Sequence, residues 1–135
     1  MSDQDYEDDT VEALFDCAVQ DFHAALSFVD ADPRYIKDHI FCGHLQGCVE
    51  KLVKAVLRDS KLPCPRTHDL GNLFGLLGNH GRRVPPDFAL LIGLTIYSVG
   101  ARYGHAVHQP FVDRIWFLNL VREFAAWLVP DVSLS

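Results

Sequence analysis

Residues 10–29 read TVEALFDCAVQDFHAALSFV, and the apolar positions Val11, Leu14, Phe15, Ala18, Phe22, Ala25 and Leu26 fall at offsets 0, +3, +4, +7, +11, +14 and +15. That is the period of a helix with one buried face, and Thr10 supplies the side chain of an N-cap. The stretch predicts a first helix ending near Val29 and fixes the kind of pattern to look for in the rest of the chain.

The same period recurs. Asp32 followed by Pro33 has the arrangement of a helix start, and Ile36, Ile40, Cys48, Leu52, Val53 and Val56 carry an apolar stripe to about Asp59. Pro63 and Pro65 break the chain, and a short third helix follows His68, using Leu70, Leu73, Phe74, Leu76 and Leu77 before Gly78 and Gly81 end it. Pro85 and Pro86 lead into Phe88–Ala101, 14 residues without a charge, which read as a buried fourth helix ending near Tyr103 and Gly104. Pro110 suits the first turn of a fifth helix with Phe111, Ile115, Leu118, Val121, Phe124, Ala125 and Leu128 on its apolar face, closed by Pro130.

No segment shows sustained period-2 alternation and no Asn-Gly or Asp-Gly turn joins two β-rich runs, which argues against a sheet. The expected fold is all-α, an antiparallel up-and-down bundle of four to five helices over residues 10–130, with an acidic disordered tail at 1–9 and a short tail at 131–135. The fourth helix is apolar nearly all round and the fifth adds Trp116, Phe117 and Trp127, more apolar surface than one bundle covers, so a homodimer through these helices is expected.

At 135 residues and 49% hydrophobic, the chain supports one core that needs neither disulfide nor structural metal. Its longest uncharged run is shorter than the roughly 18 residues of a bilayer span. The opening MSDQDYEDD is acidic where a secretory signal is basic and then apolar, so a cytoplasmic protein without a membrane segment is expected. Cys17, Cys42, Cys48 and Cys64 form no Cys-x-x-Cys pair and read as reduced thiols, the first three packed within helices and Cys64 exposed between two prolines. The net charge of −6 divides unevenly: residues 1–32 hold ten acids and no base, residues 33–135 eight acids and twelve bases. An acidic total therefore hides a basic body able to face nucleic acid.

Signatures of nucleotide hydrolysis, dinucleotide binding, zinc proteolysis and serine hydrolysis are absent. One cluster has the chemistry of phosphodiester recognition: Arg102, Tyr103, His105 and His108, preceded by Tyr97. Arginine offers phosphate a planar fork of donors, and histidine moves a proton near neutral pH. The competing reading pairs Arg102 with a carboxylate and leaves the histidines on a loop. Lys51, Lys54 and Arg58 form a basic stripe opposing the apolar stripe of the second helix, suited to a phosphate backbone, to solvent, or to pairing with the acidic first helix. His39, His44 and Cys48 lack the further donors of a zinc site, and His105 with His108 make at most a loop clip, so no metal and no cofactor is expected.

The segment Leu45–Leu57, LQGCVEKLVKAVL, resembles the second-helix signature of HEPN domains, and Thr67-His68-Asp69-Leu70 resembles the motif that follows it there. Arg102-Tyr103 falls where that family commonly has Arg-Tyr-Pro, with Gly104 in place of the proline. The resemblance spans roughly residues 11–129. It implies a dimerising helical bundle similar to the C-terminal domain of kanamycin nucleotidyltransferase. It further implies binding of nucleotide or RNA together with a separate minimal nucleotidyltransferase, often in a toxin–antitoxin pair. Other branches are metal-independent endoribonucleases carrying Arg-x4-6-His, a spacing that Arg102 and His108 satisfy with five residues between them. A structural interaction bundle without ligand is the third reading.

Overall fold

The computed structural model describes residues 10–98 and 112–134. Four α-helices and one 3-10 helix follow in order: α1 (Val11–Ser27), α2 (Asp38–Asp59), α3 (Leu70–Asn79), the 3-10 helix (Pro86–Tyr97) and α4 (Arg114–Leu128). The described residues contain no strand, and the architecture is an all-helical bundle. Side-chain caps fix three of the starts. Thr10 accepts from the Ala13 N–H, Asp69 from Gly71 and Asn72, and Asp113 from Trp116.

α2 is the central element, packed against α1, α3, the 3-10 helix and α4. It runs antiparallel to α1: Leu14 packs beside Ala55, while Asp21 reaches His44 and Lys51. Phe22 of α1, Phe41, Leu45, Leu52 and Leu57 of α2, and Phe124 of α4 are fully buried; Phe74 stacks on Phe124 with ring centroids 5.2 Å apart, and Phe88 meets it edge-on at 5.4 Å. α2 and α3 end in the same way, with a left-handed residue that lets the chain reverse onto the last turn: Lys61 (φ 58°) and Gly81 (φ 88°). The next amide then donates back, Leu62 to the Leu57 carbonyl and Arg82 to that of Leu77, both at 2.8 Å.

Two helix expectations are corrected. The apolar run after Pro86 winds as a 3-10 helix, in which every third side chain eclipses, so Phe88, Leu91, Leu94 and Tyr97 form one buried row. The rest of its surface is not buried: Leu90 is 62% exposed, and Ile92 and Ile96 are exposed too. A run apolar on all sides carries no amphipathic period to select α winding, and β-branched Ile92, Thr95 and Ile96 with Gly93 disfavour it. The continuation of this helix to Tyr103, and Pro110, lie outside the described residues.

The second helix starts at Asp38 rather than after Asp32. Asp32 accepts from the Arg34 N–H and guanidinium and closes a single turn. The carbonyls of Phe28, Ala31 and Ile36 are then taken by Arg114 Nη1 and Nη2 at 2.7, 3.3 and 2.6 Å, while its Nε binds Asp38. Arg114 is buried, and it ties the start of α4 to the α1–α2 connection.

Candidate functional site

Of the sequence-predicted site residues, Arg102, Tyr103, His105 and His108 lie outside the described residues. Tyr97 closes the 3-10 helix and is buried; burial, aided by nearby Cys42 and Asp38, pushes its phenol up to about 12. Lys51 and Lys54 do not share a solvent face. Lys51 turns to α1, where its Nζ lies 2.5 Å from Asp21 Oδ2 and the other carboxylate oxygen meets His44 Nδ1 at 3.0 Å. The pairing with the acidic first helix is thus realised. Burial works to raise the Asp21 carboxyl, but the hydrogen bonds from His44 and Lys51 outweigh it and hold it below its ordinary value.

This junction depends on Gly47. A Cβ built there would stand 2.7 Å from Asp21 Oδ2 and 3.2 Å from its Cγ. Only a bare backbone on α2 leaves room for the Asp21 carboxylate.

Lys54 corrects the basic-stripe expectation: its side chain is 0% exposed. Facing the interior would be costly for an ammonium alone by several kcal/mol. Glu50, one turn earlier on α2 and also buried, meets it at 3.2 Å. The same carboxylate receives Gln46 Nε2 at 2.8 Å and His68 Nδ1 at 2.8 Å. Gln46 Nε2 also donates to the His68 carbonyl at 3.1 Å, so His68 is held by both its ring and its backbone.

Local sequence explains how His68 arrives there. The Asp69 N–H donates to Thr67 Oγ1, Asp69 caps α3, and the Leu70 N–H donates to Thr95 Oγ1 of the 3-10 helix. The turn at 67–70 is therefore pinned on both sides. Glu50 carries a carboxylate that only accepts, so His68 Nδ1 is the donor and Nε2 lies on the opposite ring edge. The His68 side chain is 30% exposed, against 2% for Glu50.

Around this pair the field is cationic. Residues 51–66 hold Lys51, Lys54, Arg58, Lys61 and Arg66 against Asp59 alone. Cys64 is half-buried rather than exposed; burial raises its thiol against the pull of Lys54 and Arg58, and Arg58 hydrogen-bonds it. Cys64, Lys54, Arg58, Glu50 and His68 thus form one cluster where α2 turns toward α3. Among the described residues no three His, Cys, Asp or Glu converge to hold a metal ion; His44 is engaged by Asp21, and Cys48 is buried with its thiol pushed up by burial. Cys17, expected within the packing, is exposed.

Gln46, Glu50, Lys54 and His68 come from two sequence motifs, 45–57 and 67–70, and meet at the Glu50 carboxylate. The signal was present in the polar positions spaced i, i+4, i+8 inside a helix that is otherwise buried there, a spacing that puts Gln46, Glu50 and Lys54 on one face. No helix among the described residues is long and apolar enough to cross a membrane. The family model described as the HEPN domain matches residues 11–130. No curated protein and no solved structure matches the chain.

Proposed function

Because the chain belongs to the HEPN family, we propose that it is a nucleotide- or RNA-binding protein that acts with a separate minimal nucleotidyltransferase in a toxin–antitoxin-like pair. The observation that supports the binding part of this reading is the excess of bases over residues 51–66 around the α2–α3 turn, where the buried Glu50 carboxylate, its charge met by Lys54, also holds the His68 ring. Such a surface favours phosphate, through charge and directed donors. Arg102, Tyr103 and His105 complete the proposed set of ligand residues, from which the burial of Tyr97 and the pairing of Lys51 with Asp21 withdraw those two side chains.

Assembly follows from the apolar surface. Leu90, Ile92 and Ile96 on the 3-10 helix and Ile115 and Trp116 at the start of α4 are exposed, which supports a homodimer through these elements. Light scattering then reports about twice the 15.2 kDa chain mass.

Copurification followed by mass spectrometry of bound protein and nucleotide tests the partner and the ligand together. Titration of wild type and Arg102→Ala with ATP and with labelled RNA tests the site; equal affinities for the two proteins would remove Arg102 from it. RNA cleavage that persists in EDTA and is lost in His108→Ala would favour the endoribonuclease reading instead.

A further inference from the structure

The charge of this chain is divided in sequence and brought together again by the fold. Residues 1–9 carry Asp3, Asp5, Glu7, Asp8 and Asp9 and no base. Where they attach is set by α1. Leu14 packs beside Ala55, with Val11 and Phe15 against the same pair, and Asp21 lies level with Gly47. The antiparallel register therefore sets Thr10 level with Arg58 and Asp59, at the end of α2. From there the chain continues through its basic stretch. Over residues 51–66, setting Lys51 against Asp21 and Lys54 against Glu50 leaves Arg58, Lys61 and Arg66 opposed by Asp59 alone, a surplus of two positive charges. Lys61 and Arg66 are exposed. The surplus is a sum over the turn and requires no one of these side chains to be unengaged.

We propose that the acidic segment 3–9 is an internal competitor for the α2–α3 turn: its carboxylates take the cationic surface that a phosphate-bearing ligand requires, and the ligand binds by displacing them. This rests on the nucleotide- or RNA-binding reading and names a regulation of that site. Reach does not limit the contact, because nine residues extend up to about 30 Å and start level with Arg58. A tether this short holds the carboxylates near the turn at an effective concentration of about millimolar, so contacts too weak to retain a free peptide still compete. Carboxylate and phosphate oxygens both accept from guanidinium and ammonium donors, so the same cations serve either one. The rival place for these acids is the start of α1, where the helix dipole also favours negative charge. There, however, the Thr10 side chain already caps the Ala13 N–H, and one helix end faces five carboxylates.

The experiment compares the full chain with a full-length variant carrying Asp3→Asn, Asp5→Asn, Glu7→Gln, Asp8→Asn and Asp9→Asn, which keeps the length and removes the charge. A control variant removes the same charge from exposed acids elsewhere: Asp16→Asn, Asp30→Asn, Asp87→Asn, Glu123→Gln and Asp131→Asn. Amide chemical shifts of the ¹⁵N-labelled full chain and the first variant, without ligand, locate the segment; the expected differences extend beyond residues 10–14 to 58–66. Titration of all three proteins with ATP, and separately with a labelled single-stranded oligoribonucleotide, measures competition. The first variant is expected to bind roughly fivefold tighter than wild type at about 50 mM salt, with the advantage shrinking at about 300 mM, and the control to gain less. Shift differences confined to residues 10–14, or a gain no larger than the control's, overturns the proposal and leaves the binding reading standing. Binding of neither ligand by any of the three proteins overturns that reading, and the proposal with it.

Discussion

Glu50 and His68, eighteen positions apart in the chain, meet with Oε1 and Nδ1 2.8 Å apart, and the contact joins the middle of α2 to the turn that starts α3. The same carboxylate neutralises the buried Lys54 ammonium. One acid therefore serves two purposes: it makes a buried cation tolerable and it fixes the orientation of an accessible imidazole.

Removing that acid strands Lys54 in the interior. Glu50→Ala is expected to lose about 3–5 kcal/mol of stability, the usual consequence of leaving one member of a buried pair without the other. Glu50→Leu combined with Lys54→Met is expected to recover most of the loss, since it removes both charges and keeps the volume. Urea denaturation of the three proteins measures this; a double variant no more stable than Glu50→Ala would show that the cost lies elsewhere.

At Gly47 two effects oppose each other. Alanine gains about 1 kcal/mol in helix propensity, but its Cβ displaces the Asp21 carboxylate from His44 and Lys51, charged hydrogen bonds that contribute about 1.5–3 kcal/mol each. With both bonds lost, Gly47→Ala is therefore expected to be destabilising by about 2–5 kcal/mol. A stabilised variant in a thermal melt would mean that Asp21 moves aside at little cost.

Asp21 makes stability depend on pH in a defined direction. Its folded-state pKa is held below the unfolded value of about 3.9, so its contribution is full above that value and disappears as pH falls through the folded one. Asp21→Asn is expected to be less stable than wild type near neutral pH by about 1–3 kcal/mol. The gap should close as pH falls through the lowered folded-state pKa of Asp21. Denaturant midpoints across pH provide the check, and a gap constant down to the acid limit would contradict the assigned partners.

The four thiols should separate by reactivity. Cys17 is exposed and is expected to react first with a maleimide, Cys64 more slowly, and Cys42 and Cys48 only on unfolding. Burial pushes the Cys42 thiol up to about 12 and the Cys48 thiol higher still. Mass mapping of labelled peptides over time would detect any other order.

The all-helical bundle was legible because apolar residues at helical spacing occur in α1, α2, α3 and α4, each bounded by a cap, proline or glycine. What was not legible follows from interactions between distant residues. The run at 86–97 is apolar on every side, so its sequence does not encode which face is buried or how it winds. The start of α2 was misplaced because Asp32 is engaged by Arg34 two residues on, and because Arg114, 76 positions beyond Asp38, takes the carbonyls of the connection. Lys54 reads as surface in a stripe with Lys51 and Arg58; only the position of Glu50 one turn back, with Gln46 another turn back, hints at a buried polar face. The His68 motif does not disclose its partner, since the Glu50 carboxylate that holds the ring comes from another helix.

The phosphate-bearing ligand proposed for this HEPN chain binds at the α2–α3 turn. Amide chemical-shift mapping of the ¹⁵N-labelled full chain during addition of ATP tests it most directly. Among the described residues the largest saturable shifts are expected on Arg58, Arg66, His68 and Asp69. Shifts confined to Leu90, Ile92 and Ile96 on the exposed 3-10 face, or none at millimolar ATP and none with an oligoribonucleotide, would contradict it.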